Sequence, residues 1–281
     1  MIDMHIHTIF SNGEMFPLEV LDKCKKNNVN IMSITDHNSI VGVRAAMEKN
    51  PYKDIRVISG IELAAVSERG IHKHFLGYNF DVNNTHLNKM LNYIRMDGFD
   101  MLLSMVQILI KEYGIIFSNK EITEIFGTPG DIGRSQLAKF LVLNNYAHTE
   151  KEAYDKYLQP IRDRGVKREI SLTDRDCINF IKNAGGVVCL AHPYQLRMDY
   201  SELERYLKYL KCCGLDAIEV YHSEQSIPMR IKLEKLADKL ELKKSVGSDY
   251  HGKMSTPNIR IGYGIKNNLM KESASILDLI K

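Results

Sequence analysis

Apolar and polar positions alternate from the first residues of the chain. Within Ile2-Asp-Met-His-Ile-His-Thr8 this predicts a strand with His5 and His7 on one face and Met4, Ile6 and Thr8 on the other, because successive strand side chains point to opposite sides. Pro17 with Leu18, Leu21 and Cys24 then shows helical spacing with proline in the first turn. The apolar run Val29 to Thr35 predicts a second strand, closing on Asp36 and His37, and a short helix through Arg44 to Lys49 follows. A third strand, Ile55 to Ser59, ends at Gly60-Ile61-Glu62. The run Ile71-His-Lys-His-Phe-Leu-Gly77 alternates again, with His72 and His74 on a shared face.

The period changes at about Asn84. Leu87, Met90, Leu91 and Ile94 begin a long helix that continues to about Tyr113, and three shorter helical stretches reach about Leu158. Ser118 with Glu121, and Thr149 with Glu152, have capping-box spacing. No strand-like run interrupts the segment. Residues 84–170 therefore read as a helical insertion, closing with the charged linker Arg162 to Arg168, in a scaffold made of 1–83 and 171–281. Beyond it a helix from Thr173 to Asn183 leads through Gly185-Gly186 to the strand Val187 to Leu190, which ends at Ala191-His192-Pro193. Ser201 and Glu204 suit the cap of a helix through Leu210 that Gly214 stops. The strand Leu215 to Val220 runs into Tyr221-His222-Ser223, and a helix from about Pro228 to Leu240 precedes Lys244 to His251, where Asp249 and His251 share a face. Repeated strand-helix alternation predicts parallel strands whose C-terminal ends gather at one rim; His37, Glu62, His192 and Asp249 all fall at such ends.

Composition narrows the class without deciding it. The 281 residues are 44% hydrophobic and 26% charged, which excludes disorder, and a net charge of +3 is too small for a nucleic-acid coat yet suits a small anionic substrate. Five cysteines without a CxxC pair read as reduced thiols in a cytoplasmic protein. The first strand begins almost at Met1, so no secretory signal is expected. The most apolar run, Met101 to Ile110, is far short of the roughly 20 residues that span a bilayer, so no membrane association is expected.

Chemistry is carried by the histidines and acids at the strand ends. Imidazole and carboxylate without thiolate suit Zn, Mn or Fe in an open catalytic centre, and eight or nine such groups are too many for one ion. Two or three ions about 3.5 to 4 Å apart can hold a bridging hydroxide and clamp both oxygens of a displaced phosphate ester. Several residues stay open on spacing alone. Asp36 either ligates or orients its neighbour, and alternation leaves open which of His72 and His74 is the ligand and which is exposed or supporting. Ser11 and Glu14 have capping-box spacing, so Asn12 is open between ligand and turn. Arg162, Arg164 and Lys167 read as a solvated linker.

The ordered motifs His5-Ile-His7-Thr8, Thr35-Asp-His37, Gly60-Ile61-Glu62, His74-Phe-Leu-Gly77, Ala191-His192-Pro193 and Gly247-Ser-Asp249-Tyr-His251 resemble those of the PHP (polymerase and histidinol phosphatase) phosphoesterase family. The resemblance covers nearly the whole chain. The stretch Gly133-Arg134-Ser-x-Leu-Ala-Lys-Phe is similar to the branch acting on nucleoside 3',5'-bisphosphates and short RNA. It implies a distorted, TIM-like (β/α)7 barrel with the helical insertion covering the active site, and a metal centre held by His5, His7, Asn12, His37, Glu62, His74, His192, Asp249 and His251. It further implies a phosphate clamp at Arg134. His222 is a candidate proton donor to the leaving group, Asp249 a ligand that could accept a proton from the attacking water, and Tyr221 a surface on which a base could stack. One departure matters: the family pattern Ser-Asp-Gly is here Ser11-Asn12-Gly13, so the position shared with His37 and His251 should hold its ion more weakly. The expected reaction is hydrolysis of a phosphate ester on a nucleotide or short oligoribonucleotide with two to three divalent ions. A histidinol-phosphate phosphatase and a catalytically weakened binding module are the alternatives.

Overall fold

The computed structural model describes residues 1–66, 72–127, 129–269 and 274–280. β1 (Ile2–Ile6) pairs in parallel with β2 (Ile31–Ile34), and β2 with β3 (Arg56–Ile58). The crossovers that parallel pairing requires are α1 (Pro17–Lys26) and α2 (Val41–Lys49). α1 starts on Pro17, whose missing N–H is no loss in a first turn, and turns Val20, Leu21 and Cys24 inward. It ends among Lys23, Lys25 and Lys26, cations placed where the helix dipole favours them.

A second sheet runs in the order β4 (Gly60–Val66), β5 (His72–Tyr78), β6 (Val187–Leu190), β7 (Ala217–His222), β8 (Lys243–Gly247). The expectation of parallel strands throughout fails here. β5 is antiparallel to both β4 and β6, whereas β6, β7 and β8 are parallel. Only residues 67–71 separate β4 from β5, far short of the roughly dozen-residue crossover that a parallel pair needs. Ile71, which opens the alternating run, lies outside the described residues. Glu62 is consequently the third residue of an antiparallel strand, not the end of a parallel one. Because Ala64 pairs with His74, Glu62 and His74 become diagonal neighbours on one face.

Single bridges join the two sheets, Ile6 to Tyr250 and His37 to Glu62. Around them the His7 N–H donates to the Tyr250 carbonyl at 3.0 Å, the Asp249 N–H to the His5 carbonyl at 2.8 Å, and the Asn38 N–H to the Glu62 carbonyl at 2.9 Å. The described strands thus form an α/β fold of two bridged sheets rather than one continuous closed sheet. The bridges fall at the residues that carry the candidate chemistry.

The described chain divides into two compact units, residues 1–88 with 172–281, and residues 89–171. Met4, Leu76, Cys189, Ala217 and Val246 are central to the core of the first. Its remaining helices are α8 (Asp174–Asn183), α9 (Tyr200–Cys213) and α10 (Ile227–Lys239), described below only where they bear on the site. α9 is capped two residues earlier than expected: Asp199 and Glu202 form the reciprocal pair, while Glu204 pairs with Lys208 and Lys239. The sequence offers the same acid-at-three spacing in both frames, and Tyr200 and Ser201 simply join the helix. Gly214, at φ +111°, ends it as expected, in a left-handed conformation that glycine adopts freely.

The second unit is helical. α3 (Thr85–Tyr113) continues into it from the first unit and is followed by α4 (Asn119–Phe126), α5 (Arg134–Leu143), α6 (Glu150–Ala153), a π turn over Tyr154–Leu158, and α7 (Gln159–Asp163). Leu102, Met105, Leu109, Leu137, Leu141 and Leu158 fill its core. In the charged linker Arg164 and Lys167 are exposed as expected and Arg162 is half-buried, whereas Arg168 is held within the unit. The Arg168 guanidinium donates to the Ile94 carbonyl and to Asp131, both at 2.8 Å, and Arg164 pairs with Glu112 at 2.7 Å. Among the described residues no helix is long and apolar enough to cross a membrane.

Candidate metal centre

β1 delivers His5, and His7 follows directly on its end; both are buried, with their Nε2 atoms 3.2 Å apart. Those two nitrogens face Glu62 Oε2 at 3.4 and 3.2 Å and Asp249 Oδ1 at 3.2 Å each. The other nitrogen of each ring is already committed. His5 Nδ1 donates to Glu219 Oε1 at 2.9 Å. Ser11 gives its one hydroxyl proton to Asp36 Oδ1 at 2.7 Å, so it can only accept from His7 Nδ1 at 3.3 Å. In its singly protonated form each ring therefore keeps the proton on Nδ1, and Nε2 offers a lone pair inward, the arrangement a metal-binding imidazole needs.

Glu62 is the centre of the cluster. Its Oε1 lies 3.0 Å from His74 Nδ1 and 3.1 Å from His192 Nε2, and its Oε2 lies 3.0 Å from His37 Nδ1 as well as near His5 and His7. Burial works against its charge, yet His37, His74 and His5 hold the carboxyl well below the usual range. Asp249 closes the opposite side. Its Oδ2 is 3.3 Å from His222 Nε2, and its backbone carbonyl is 2.9 Å from His251 Nδ1. His251 in turn stacks on His7, ring centroids 4.1 Å apart. Converging atoms form four overlapping sets: His5-His7-Glu62, His5-His222-Asp249, His37-Glu62-His74 and His7-His37-His251. Two of these residues hold unusual backbones, His192 at φ +26° and Asp249 at φ +56°. Such conformations cost a non-glycine residue about 1–3 kcal/mol and concentrate at functional sites.

Two observations show that cations fit. Glu62 Oε2 is fully buried and accepts no hydrogen bond, although three imidazole nitrogens surround it. Leaving such an oxygen unsatisfied costs about 1–3 kcal/mol or more, and a cation between it and the nitrogens removes that cost. The proton balance agrees. Burial opposes charge on His7, but Asp249 and Glu62 outweigh it and push the ring up to about 9; His5, beside the same acids and Glu219, also stands well above its usual value. Protons sit where positive charge is wanted. Burial takes His37 well below its ordinary value, and burial with the neighbouring His7 brings His251 down to about 4, so these two rings are neutral and ready to ligate. No cysteine joins the set, in keeping with an open site of nitrogen and oxygen donors.

The remaining expected residues are placed as follows. Asn12 is half-buried, and its side-chain oxygen lies 3.2 Å from Ser11 Oγ, whose proton goes to the nearer Asp36. Ser11 caps no helix: residues 9–15 form turns, and Glu14 instead accepts from the Met254 and Ser255 N–H groups and from Ser255 Oγ. Asp36 takes the orienting role, accepting from the Thr8 N–H at 2.7 Å, from Thr8 Oγ1 at 2.6 Å and from Ser11. His72 is exposed, with His74 the residue of that pair at Glu62. His222 is buried and accepts the Glu224 N–H on Nδ1 at 3.1 Å, which puts its own proton on Nε2, facing Asp249. Arg134 opens α5 in the helical unit, with its guanidinium 5.4 Å from the Tyr154 ring centre and Nη1 donating to Gln159 at 3.4 Å.

Tyr221 has a different surrounding from the one expected. It packs on the core of the first unit with the Arg230 guanidinium 4.4 Å over its ring. A bulge in β7 between Glu219 and Tyr221 shifts the alternation, so Glu219 and His222, three residues apart, both serve the site. The aromatic ring beside the imidazoles is Tyr194, 5.2 Å from His222 and 6.5 Å from His192, its hydroxyl donating to Glu224 at 2.8 Å.

Sequence reasoning also missed Glu219. Besides fixing His5, its Oε2 accepts the His192 N–H at 2.7 Å, and despite full burial its carboxyl is held below the usual range by His5 and His222. A lone carboxylate inside the apolar run Ala217 to Val220 was the available signal, since an unpaired buried charge is too costly to keep without a partner.

Known proteins match this chain over most of its length. A 5'-3' exoribonuclease of Haemophilus influenzae is 26% identical over 255 residues, 89% of each chain. A 3',5'-nucleoside bisphosphate phosphatase of Chromobacterium violaceum is 27% identical over 251 residues, covering 89% of this chain and 87% of the relative. Among solved structures, a Bifidobacterium adolescentis protein provisionally named a metal-dependent phosphoesterase superposes with a TM-score of 0.77 at 25% identity, over 99% of this chain and 93% of that one. A Chromobacterium violaceum amidohydrolase, solved with bound sulfate and no metal, gives 0.75 at 26% identity, over 93% and 89%. Residues 3–218 match the PHP domain, and on that match the chain belongs to the PHP domain family of metal-dependent phosphoesterases.

Proposed function

We propose that this protein hydrolyses a phosphate ester on a nucleotide, either a nucleoside 3',5'-bisphosphate or the end of a short oligoribonucleotide, with two to three divalent ions of Mn, Zn or Fe. The observation that carries this reading is Glu62, one buried carboxylate faced by five imidazoles with an oxygen left unsatisfied. The relatives named for a nucleoside bisphosphate and for RNA support the substrate class. We read the two bridged sheets as a distorted barrel.

In this reading His5, His7, Glu62 and Asp249 hold one ion, His74 and His192 join Glu62 for another, and His37, His251 and Asn12 complete a weaker third. When bound, the ions supply Lewis-acid polarisation of the phosphoryl oxygens and acidify a water. The chain's own groups do the rest. Glu219 fixes the tautomer of His5 and the strained backbone of His192, so the ligands are set before substrate arrives. His222 keeps its proton on Nε2, the side facing Asp249, from which it can protonate a leaving oxygen while Asp249 takes a proton from the attacking water. Tyr194 offers a face to a base. Arg134 as a phosphate clamp rests on the family resemblance, and Arg134→Lys, which loses bidentate geometry, should raise KM more than it lowers kcat.

The test is metal analysis with a phosphate-release panel of nucleoside bisphosphates, short RNA and histidinol phosphate. His5→Ala or His192→Ala should lower bound metal and abolish release from the nucleotide substrates. Full activity with full metal content would place the site elsewhere, and preference for histidinol phosphate would replace the nucleotide reading.

A further inference from the structure

The loop after His192 leads from the metal centre to a second concave site. Pro193–Leu196 form a 3-10 turn, about 8 Å long at roughly 2.0 Å per residue. At its far end a pocket of about 520 Å3 is lined by Leu196, Arg197, Met198, Arg205, Tyr206 and Tyr209. It is an open groove of nucleotide-sized volume, not an enclosed cavity. Glu202 also borders it, its carboxylate tied to the Asp199 N–H at 3.0 Å in the cap of α9, so two guanidinium groups against one carboxylate leave the lining net positive.

The aromatic floor is held firmly. Tyr206 and Tyr209 stack with ring centroids 6.4 Å apart and planes inclined by 26°. The Tyr206 hydroxyl donates to Asp174 at 2.9 Å, and the buried Lys73 ammonium pairs with the same carboxylate at 2.7 Å while lying 4.6 Å from the Tyr206 ring centre. Lys73 and His74 are consecutive on β5 and point to opposite faces, so one strand sets His74 against Glu62 and anchors the tyrosine on its other side. Arg197 stands at φ +52°, a backbone that a non-glycine residue adopts only when its surroundings impose it. Along the chain from His192 the order is Tyr194, Arg197, then Arg205 and Tyr206 with Tyr209. Alternating aromatic faces and cations are how sequence-tolerant single-strand binders take bases and phosphates.

Building on the hydrolase reading above, we propose that this pocket is a second nucleotide subsite. It takes the base and phosphate of the nucleotide next to the one whose ester lies in the metal centre, so oligoribonucleotides are preferred over single nucleotides. A free mononucleotide carries the same chemistry, and the experiment separates the two.

Binding of a labelled tetraribonucleotide to the full-length protein without metal, followed by fluorescence anisotropy, reads the pocket independently of catalysis. The Arg197→Glu/Arg205→Glu variant should bind about tenfold more weakly, with a flatter dependence of log Kd on log salt. Tyr209→Ala, at an exposed ring outside the Lys73–Asp174 pair, should weaken binding without flattening that salt dependence. With metal, the charge reversals should lower kcat/KM for the tetranucleotide at least about ten times more than for a nucleoside bisphosphate. Unchanged binding overturns the subsite, whatever the activity. Adenosine monophosphate competing as tightly as the tetranucleotide overturns the oligonucleotide assignment. Weakened binding in variants of a protein that releases phosphate from nothing supports the pocket and sinks the hydrolase reading instead.

Discussion

The two ends of the metal centre share His7 but are built on opposite electrostatic plans. At the His5 end two carboxylates, Glu62 and Asp249, face the ring nitrogens, and a third, Glu219, braces His5 from behind. At the His251 end the converging atoms are three imidazole nitrogens, with the neutral Asn12 reached through Ser11. The acids push His7 up to about 9, whereas burial and its neighbours bring His251 down to about 4. His5 and His7 therefore hold protons between two acids, whereas His37 and His251 are neutral and each faces one acid oxygen, His37 at Glu62 Oε2 3.0 Å away and His251 at Asp249 Oδ1 3.6 Å away. Ligand count alone would rank the two ends as equals. Charge count separates them.

The comparison breaks most completely at Glu62. Glu62→Gln keeps the volume and removes the charge that organises both ends, so metal content should collapse and phosphate release fall by roughly a thousandfold or more. Elemental analysis beside a release assay decides it, and retention of both would mean that Asp249 suffices. Next in size is Glu219→Gln, which touches only the His5 end. The amide can still accept from His5, but its NH2 cannot accept the His192 N–H, and metal affinity should weaken by about 10- to 100-fold in a competition titration, with the His251 end unaffected.

Asn12→Asp sharpens the comparison from the other side. Restoring a charge should strengthen the weakest ion by about tenfold and raise the metal stoichiometry measured after dialysis. No gain would assign Asn12 to the turn.

The smallest effect is in protons. His5 and His7 stand above neutrality in the empty protein and must lose their extra protons to ligate, so loading the His5 end at pH 7 should release protons; affinity should rise with pH until about 9 and fall on acidification. The already neutral His37 and His251 should release none at that pH. Calorimetry in buffers of different ionisation enthalpy counts them, and equal release from both ends would contradict the difference drawn between them.

What the sequence disclosed follows from where the information lies. Alternation along β1, the capping box of α4 and the cluster of histidines at strand ends are local patterns, so the ligands and most helices were readable. Pairing direction is not local. β4 and β5 look like any two apolar runs, and only the short 67–71 connection between them hints that they turn back on each other. Glu219 and Tyr194 were harder still, because what defines them is a partner, His5 in one case and His222 in the other, more than twenty residues away. Tyr221 misleads for the same reason: the bulge that turns it aside leaves no mark in residue type.

The two bridges that join the sheets have a consequence in time as well as in space. A ribosome delivers His5 and His7 first, yet Glu219, Asp249 and His251 emerge more than two hundred residues later. Until then β1 has no Tyr250 to pair with and its histidines have no acid facing them except Glu62. The two sets that need His222, Asp249 or His251 are therefore completed only with nearly the whole chain, so a nascent or truncated protein can hold folded helices and still lack half of the centre.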